Sequence, residues 1–95
     1  MGGVTMQFEY DPNKSASNKV KHGVDFEEAQ ELWNDPFALE IKTTYVAEER
    51  WAVIGIMNNR HWTAIVTHRD EKIRIISVRR SHKNEEVLYD NFDKR

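Results

Sequence analysis

The sequence predicts an α+β domain in which an antiparallel sheet of three or four strands carries two N-terminal helices and one C-terminal helix. Three features point there. The first third holds two capped helical segments, three apolar runs with turn signals between them come after Glu49, and a last capped segment begins at Ser81. A chain of 95 residues has room for one core, so residues 6–95 read as a single domain. Residues 1–5 (MGGVT) read as a leader or an expression remnant ahead of a native start at Met6.

Each element has its local reason. Met6 to Tyr10 (MQFEY) alternates apolar and polar residues, the pattern of a short strand. Asp11-Pro12 opens a helix, because aspartate accepts from exposed N–H groups and proline is preformed for the first helical position. Lys21-His22-Gly23 closes it, with cations at the negative helix end and a glycine free to turn left-handed. A second helix is expected at once, with Asp25 as cap, Glu28 completing a capping box and Val24 stapled against Ala29. Phe26, Ala29 and Trp33 would share its buried face until Asp35-Pro36 stops it. A weaker strand is expected at Ala38 to Thr43. Trp51 to Met57 and Trp62 to Thr67 read as strands joined at Asn58-Asn59, and Asp70-Glu71 turns the chain into Lys72 to Arg79. Ser81 can cap a final helix bearing Val87, Leu88, Asn91 and Phe92.

Composition narrows the function classes. Without cysteine there is no disulfide framework, thiol catalysis or thiolate zinc site, which suits a cytoplasmic protein. No apolar stretch is long enough for a transmembrane helix, so no membrane partner is expected. A net charge of -2 argues against coating nucleic acid by bulk charge. The charge is segregated, however. Acids dominate Asp25 to Glu49, opposed only by Lys42, whereas Arg60 to Lys83 holds Arg60, Arg69, Lys72, Arg74, Arg79, Arg80 and Lys83 against Asp70 and Glu71. Such a split fits either an anionic ligand on one surface or a salt-bridged sheet.

If both turns have two-residue loops, counting gives the cross-strand rows. One face then carries Arg50, Thr67, Arg74, with Ala52, Ile65, Ile76 next, then Ile54, Thr63, Val78 and then Ile56, His61, Arg80. Its apolar middle is expected to take the helices. On the other face the count puts Arg79 beside Trp62 and opposite Gly55. That pair would either cradle a phosphate with a stacked base or pack as a core indole under an arginine stem.

Familiar catalytic signatures are missing: no glycine-rich phosphate loop, no HExxH, no acidic calcium loop and no Ser-His-Asp arrangement. Four histidines without clustered carboxylates do not suggest a metal site, and no cofactor is expected. RNA strand cleavage needs none of these. The 2′-hydroxyl supplies the nucleophile, and the protein supplies a proton acceptor, a proton donor and cations where charge builds on phosphorus.

Several motifs converge further along the chain: KHGVDFEEA (Lys21 to Ala29), Asp35-Pro36, Glu49-Arg50, Thr67 to Arg69 and IRIISVRR (Ile73 to Arg80). From Phe8 to Tyr89 the chain resembles the BrnT family, ribonuclease toxins of a bacterial toxin–antitoxin system. The resemblance implies a RelE-like fold, metal-independent endoribonuclease activity that inhibits translation, and neutralisation by a cognate antitoxin. It also implies that the antitoxin carries a ribbon-helix-helix part, so that DNA is reached only through it. The family's characteristic positions fall on Lys21, His22, Arg50, Arg69, Ser77, Arg79, Glu85 and Tyr89. Expected catalytic residues are therefore His22, Arg50, Arg69, Arg79, Glu85 and Tyr89; expected RNA-binding residues are Lys21, Trp62, Arg74 and Arg80. His22 could transfer a proton or simply end its helix, the arginines could bind phosphate or pair with the acidic segment, and Ser77 is expected to be structural. Where the family commonly has Glu-Arg, this chain has Glu85-Glu86, an anion replacing a cation. That departure keeps an alternative open: a catalytically weak binding module that docks on a DNA-binding antitoxin and serves operon autoregulation.

Overall fold

Asp11 and Gly23 bound the first helix as their chemistry requires. In a computed structural model, which describes residues 6–43 and 48–92, the Asp11 carboxylate accepts from the Asn13 N–H at 2.8 Å. Gly23 closes the helix at φ 83°, a left-handed conformation that costs glycine nothing. The leader expected at residues 1–5 lies outside the described residues.

In chain order the elements are β1 (Phe8–Glu9), α1 (Pro12–His22), a 3₁₀ helix (Glu28–Asn34), β2 (Leu39–Lys42), β3 (Trp51–Met57), β4 (Arg60–Arg69), β5 (Lys72–Arg80) and α2 (Lys83–Asn91). The strands form one sheet ordered β1-β5-β4-β3-β2. The α+β class holds, with two corrections to the sheet. It has five strands, and it is mixed, because β1 pairs parallel to β5 while β2 through β5 are antiparallel. Both turns have the expected two residues. Asn58 and Asn59 (φ 55° and 62°) and Asp70 and Glu71 (φ 50° and 70°) all adopt the positive φ that matches strand twist in such hairpins.

The second helix is the next correction. The capping box forms as expected, with Asp25 accepting from the Glu28 N–H at 2.7 Å and Glu28 from the Asp25 N–H at 3.0 Å. The helix it starts is 3₁₀ rather than α. The buried residues explain why: Phe26, Ala29 and Leu32, all 0% exposed, are three apart, the repeat of a 3₁₀ turn. Trp33 stays half-buried, edge-on to Phe8 at 4.9 Å. At the other end Ser81 is not the cap of α2. Its hydroxyl bonds Thr63 Oγ1 at 2.8 Å, so the cap passes to His82, whose N–H donates to Glu85 at 2.7 Å.

The counted register holds from β3 to β4, including Val53 opposite Ala64 and Gly55 opposite Trp62. It fails halfway along β5. Val66 pairs with Ile75, but Ile65 pairs with Ser77, so Ile76 is the extra residue of a β-bulge. Every side chain after it changes face. The inner face thus gathers Val53, Ala64, Val66, Ile75 and Val78 against Phe26, Ala29 and Leu32, and this is the core. Burying side chains such as Phe26 and Leu32 stabilises by roughly 1.5–3 kcal/mol each. Gly55 admits the close approach, since a Cβ there would lie 3.3 Å from Leu32 Cδ2. The face expected to take the helices, Ala52-Ile65 and Ile54-Thr63, is instead the outer one, where Ile54 and Thr63 are buried and α2 packs near β3.

Helix α1 runs beside β5. Beyond its two-residue pairing with β1, that edge would leave backbone groups unpaired. Buried Asn18 satisfies one pair: its amide donates to the Val78 carbonyl at 2.9 Å and accepts from the Val78 N–H at 3.2 Å. The same amide donates to the Val24 carbonyl at 2.7 Å, and Ser15 Oγ accepts from the Phe26 N–H at 2.8 Å.

Candidate functional site

The bulge at Ile76 decides which arginine faces the outer surface. Arg79 lies opposite Thr63 and Arg80 opposite Trp62. The expected cradle of Arg79 and Trp62 therefore does not exist. The Arg80 guanidinium carbon sits 5.6 Å from the centre of the Trp62 ring system, while the indole is 6% exposed and donates to the Met57 carbonyl at 3.0 Å. Trp62 is a core residue with no open ring face for a base.

On the outer face Arg79 is gripped by α2. Its guanidinium forks onto Glu85, Nη1 to Oε1 at 2.8 Å and Nη2 to Oε2 at 2.9 Å. Thr63 Oγ1 donates to Glu85 Oε1 at 3.0 Å, and the His82 N–H completes the set. The Arg79 hydrogen bonds, more than any other contact, pull the Glu85 carboxyl down to about 2, against the opposing effect of its partial burial. At neutral pH it is a carboxylate with little tendency to take a proton. The fork thereby fixes the Arg79 guanidinium against α2.

Further along α2, the Tyr89 hydroxyl donates to Asp35 Oδ2 at 2.6 Å, an oxygen that also accepts from the Ile56 N–H at 2.9 Å. β2 pairs with β3 only as far as Ile54, so Asp35 serves the backbone that β2 leaves bare. His61 contacts Asp90 at 2.9 Å and the edge of Tyr89. At the opposite end of the sheet, Arg69 and Arg74 share Glu9, at 3.8 and 3.5 Å. Arg74 is registered with Thr67, whose hydroxyl donates to the carbonyl of Glu49. The neighbouring Arg50 pairs with Glu48 at 3.1 Å.

Lys21 and His22 end α1, and with Lys14, Ser17, Ile76 and Ser77 they line a groove of about 270 Å³ beside β5. Ser77 lies one pair away from Arg79 on the outer face, so the groove opens onto the same surface. Trp62 and Arg80 lie together on the inner face, and the other predicted residues fall into three neighbourhoods. Arg50, Arg69 and Arg74 lie at one end, Arg79, Glu85 and Tyr89 under α2, and Lys21 and His22 at the β5 edge. Thr63, Ser81, Glu9 and Asp35 were not foreseen as parts of the site. A threonine among the apolar residues of β4 was a signal for Thr63; nothing in the sequence marks Glu9 as the shared partner of two arginines. Among the described residues, no three His, Asp or Glu side chains are grouped so as to hold a metal ion.

Residues 10–85 match the family model of the ribonuclease toxin BrnT of type II toxin–antitoxin systems. The chain belongs to the BrnT family. A search of curated proteins returned no match. Membership makes this BrnT chain a ribonuclease toxin whose partner is a cognate antitoxin. The match spans His22, Arg50, Arg69, Arg74, Arg79 and Glu85 and ends before Tyr89. Among the described residues, no helix is long and apolar enough to cross a membrane.

Proposed function

We propose that this BrnT chain is a metal-independent endoribonuclease that cuts RNA through its 2′-hydroxyl, acts in the cytoplasm to inhibit translation, and is silenced by an antitoxin bearing a ribbon-helix-helix DNA-binding part. One observation carries the reading: the β5 bulge turns Arg79 to the outer face, where Ser77 links it to the groove of Lys21 and His22. The 2′-oxygen attacks the adjacent phosphorus as its proton leaves. The 5′-oxygen departs with a proton, and a cyclic phosphate remains. His22, which lines the groove, is the imidazole that would transfer the proton. Arg79, held in a fork by Glu85, presents its remaining edge to the charge that grows on phosphorus. Arg50, Arg69 and Arg74 bind flanking backbone, and Tyr89 holds α2 in place through Asp35.

The test is cleavage of a defined single-stranded RNA in excess EDTA, beside Arg79→Ala and His22→Ala proteins, with the product ends mapped. Cyclic or 3′-phosphate ends that vanish with Arg79→Ala support the reading. Silence on free RNA and on translating ribosomes alike sinks it. The second reading, a binding module acting through its antitoxin in operon autoregulation, draws support from the pairing of Arg79 with Glu85 and from Glu86 beside it. It predicts that same silence together with intact antitoxin binding.

A further inference from the structure

We infer that the groove between α1 and the β5 edge is a second RNA phosphate site, in which Lys14, Ser17 and Lys21 hold the strand next to the bond being cut. The inference rests on the ribonuclease reading for its substrate class, but adds Lys14 and Ser17 of α1, which no family motif marks.

The arginines of the outer face all have acids. Arg50 has Glu48, Arg69 and Arg74 have Glu9, and Arg79 has Glu85. On α1, Lys19 is likewise taken by Glu28 at 2.9 Å. Lys14 and Lys21 differ, making no ion pair among the described residues. They are seven positions apart, two helical turns, so both ammonium groups leave one face of α1 about 10 Å apart along its axis. Ser17 lies between them with no hydrogen bond from its hydroxyl among the described residues. Ser77, equally unengaged, looks on from β5.

Acid is also absent from the walls. Three other grooves, on the side of the 3₁₀ helix, are each lined by Glu27, Glu28, Glu31 or Asp35. The α1 groove has no carboxylate in its lining. A phosphodiester entering there meets ammonium and hydroxyl donors without first displacing an anion. On the outer face it must compete with Glu9, Glu48 and Glu85. The groove is tied to β5 at its base, because Asn18 on the same helix face is bonded to Val78. It also opens at Ser77, one pair from Arg79. A strand can therefore run from the groove onto the sheet without a break.

The experiment is fluorescence anisotropy with a short, single-stranded 2′-O-methyl RNA, which cannot be cleaved through its blocked hydroxyl. Wild type is compared with Lys14→Ala, Ser17→Ala and, as a control that removes a cation elsewhere, Arg60→Ala. Lys14→Ala is expected to weaken binding about fivefold at low salt and to lower the slope of log affinity against log salt by about 0.7. Ser17→Ala should weaken it about twofold without changing that slope, and Arg60→Ala should bind as wild type. Matched thermal melts of the variants, all at exposed positions, exclude misfolding. If Lys14→Ala binds RNA like wild type, or loses no more than Arg60→Ala, the inference is overturned and the groove belongs to another occupant such as the antitoxin. Because the probe is never cut, the loss on Lys14→Ala relative to Arg60→Ala reads binding at the groove, whereas the cleavage assay with Arg79→Ala reads the chemical step.

Discussion

The two faces of the sheet are held by different physics. On the inner face Phe26, Ala29 and Leu32 disappear completely against Val53, Ala64 and Val78, and the contact is apolar throughout. On the outer face α2 buries none of its residues and leaves Val87, Leu88 and Phe92 about half exposed. It is fastened instead by directional polar contacts: Glu85 on Arg79 and Thr63, Tyr89 on Asp35, and Asp90 on His61. Burial of apolar area is non-directional, strong and closed to exchange. Hydrogen bonds and ion pairs net far less, and their groups can transfer to a ligand that offers equivalent partners. The inner face is therefore closed, whereas the outer face is latched by contacts that can exchange.

Three measurements can break or sharpen this contrast. The largest expected effect is on the inner face. Leu32→Ala should cost about 3 kcal/mol in urea unfolding, from lost burial plus the cavity left beside Gly55. A loss under about 1 kcal/mol would mean that the core is not where the stability lies. Next comes Glu85→Gln, expected to cost roughly 1–2 kcal/mol at neutral pH by dissolving the fork on Arg79. Its pH dependence is diagnostic. The folded Glu85 carboxyl sits at about 2, below its ordinary 4.5, so its contribution is full above that ordinary value and fades as pH falls toward 2. The gap between wild type and Glu85→Gln should therefore close between about pH 5 and pH 2. A gap that persists at low pH would show that the fork is not what fastens α2. The smallest effect is expected for Leu88→Ser on the exposed side of α2, within about 0.5 kcal/mol. A larger loss would reveal apolar anchoring of that helix.

Much of the frame was legible because its causes are local. Asp11 and Gly23 mark the ends of α1 whatever surrounds them, and Asn58-Asn59 and Asp70-Glu71 prescribe tight turns that set the β3–β4 register. The site was less legible because its arrangement hangs on one residue. In IRIISVRR, the inner apolar set is Ile73, Ile75 and Val78, a spacing that breaks strict alternation between Ile75 and Val78. That break is the trace of the bulge. Strict alternation through this stretch would exchange the places of Arg79 and Arg80 and set Arg79 over a core tryptophan. Nor could the sequence of β3 say which face would be covered, since Ala52, Ile54 and Ile56 are as apolar as Val53, Gly55 and Met57.

By itself the sequence determined the α+β class, the ends of α1, the two hairpin turns and the family, all encoded in short-range chemistry or in a sequence pattern. Only the tertiary structure decided the parallel docking of β1 on β5, the 3₁₀ form of the second helix, the bulge at Ile76, and the gathering of Arg79, Thr63 and Glu85. These depend on contacts between residues far apart in the chain. Whether an edge finds its cap, as β5 finds Asn18, or an arginine its carboxylate, is settled only when the packed elements bring the partners together.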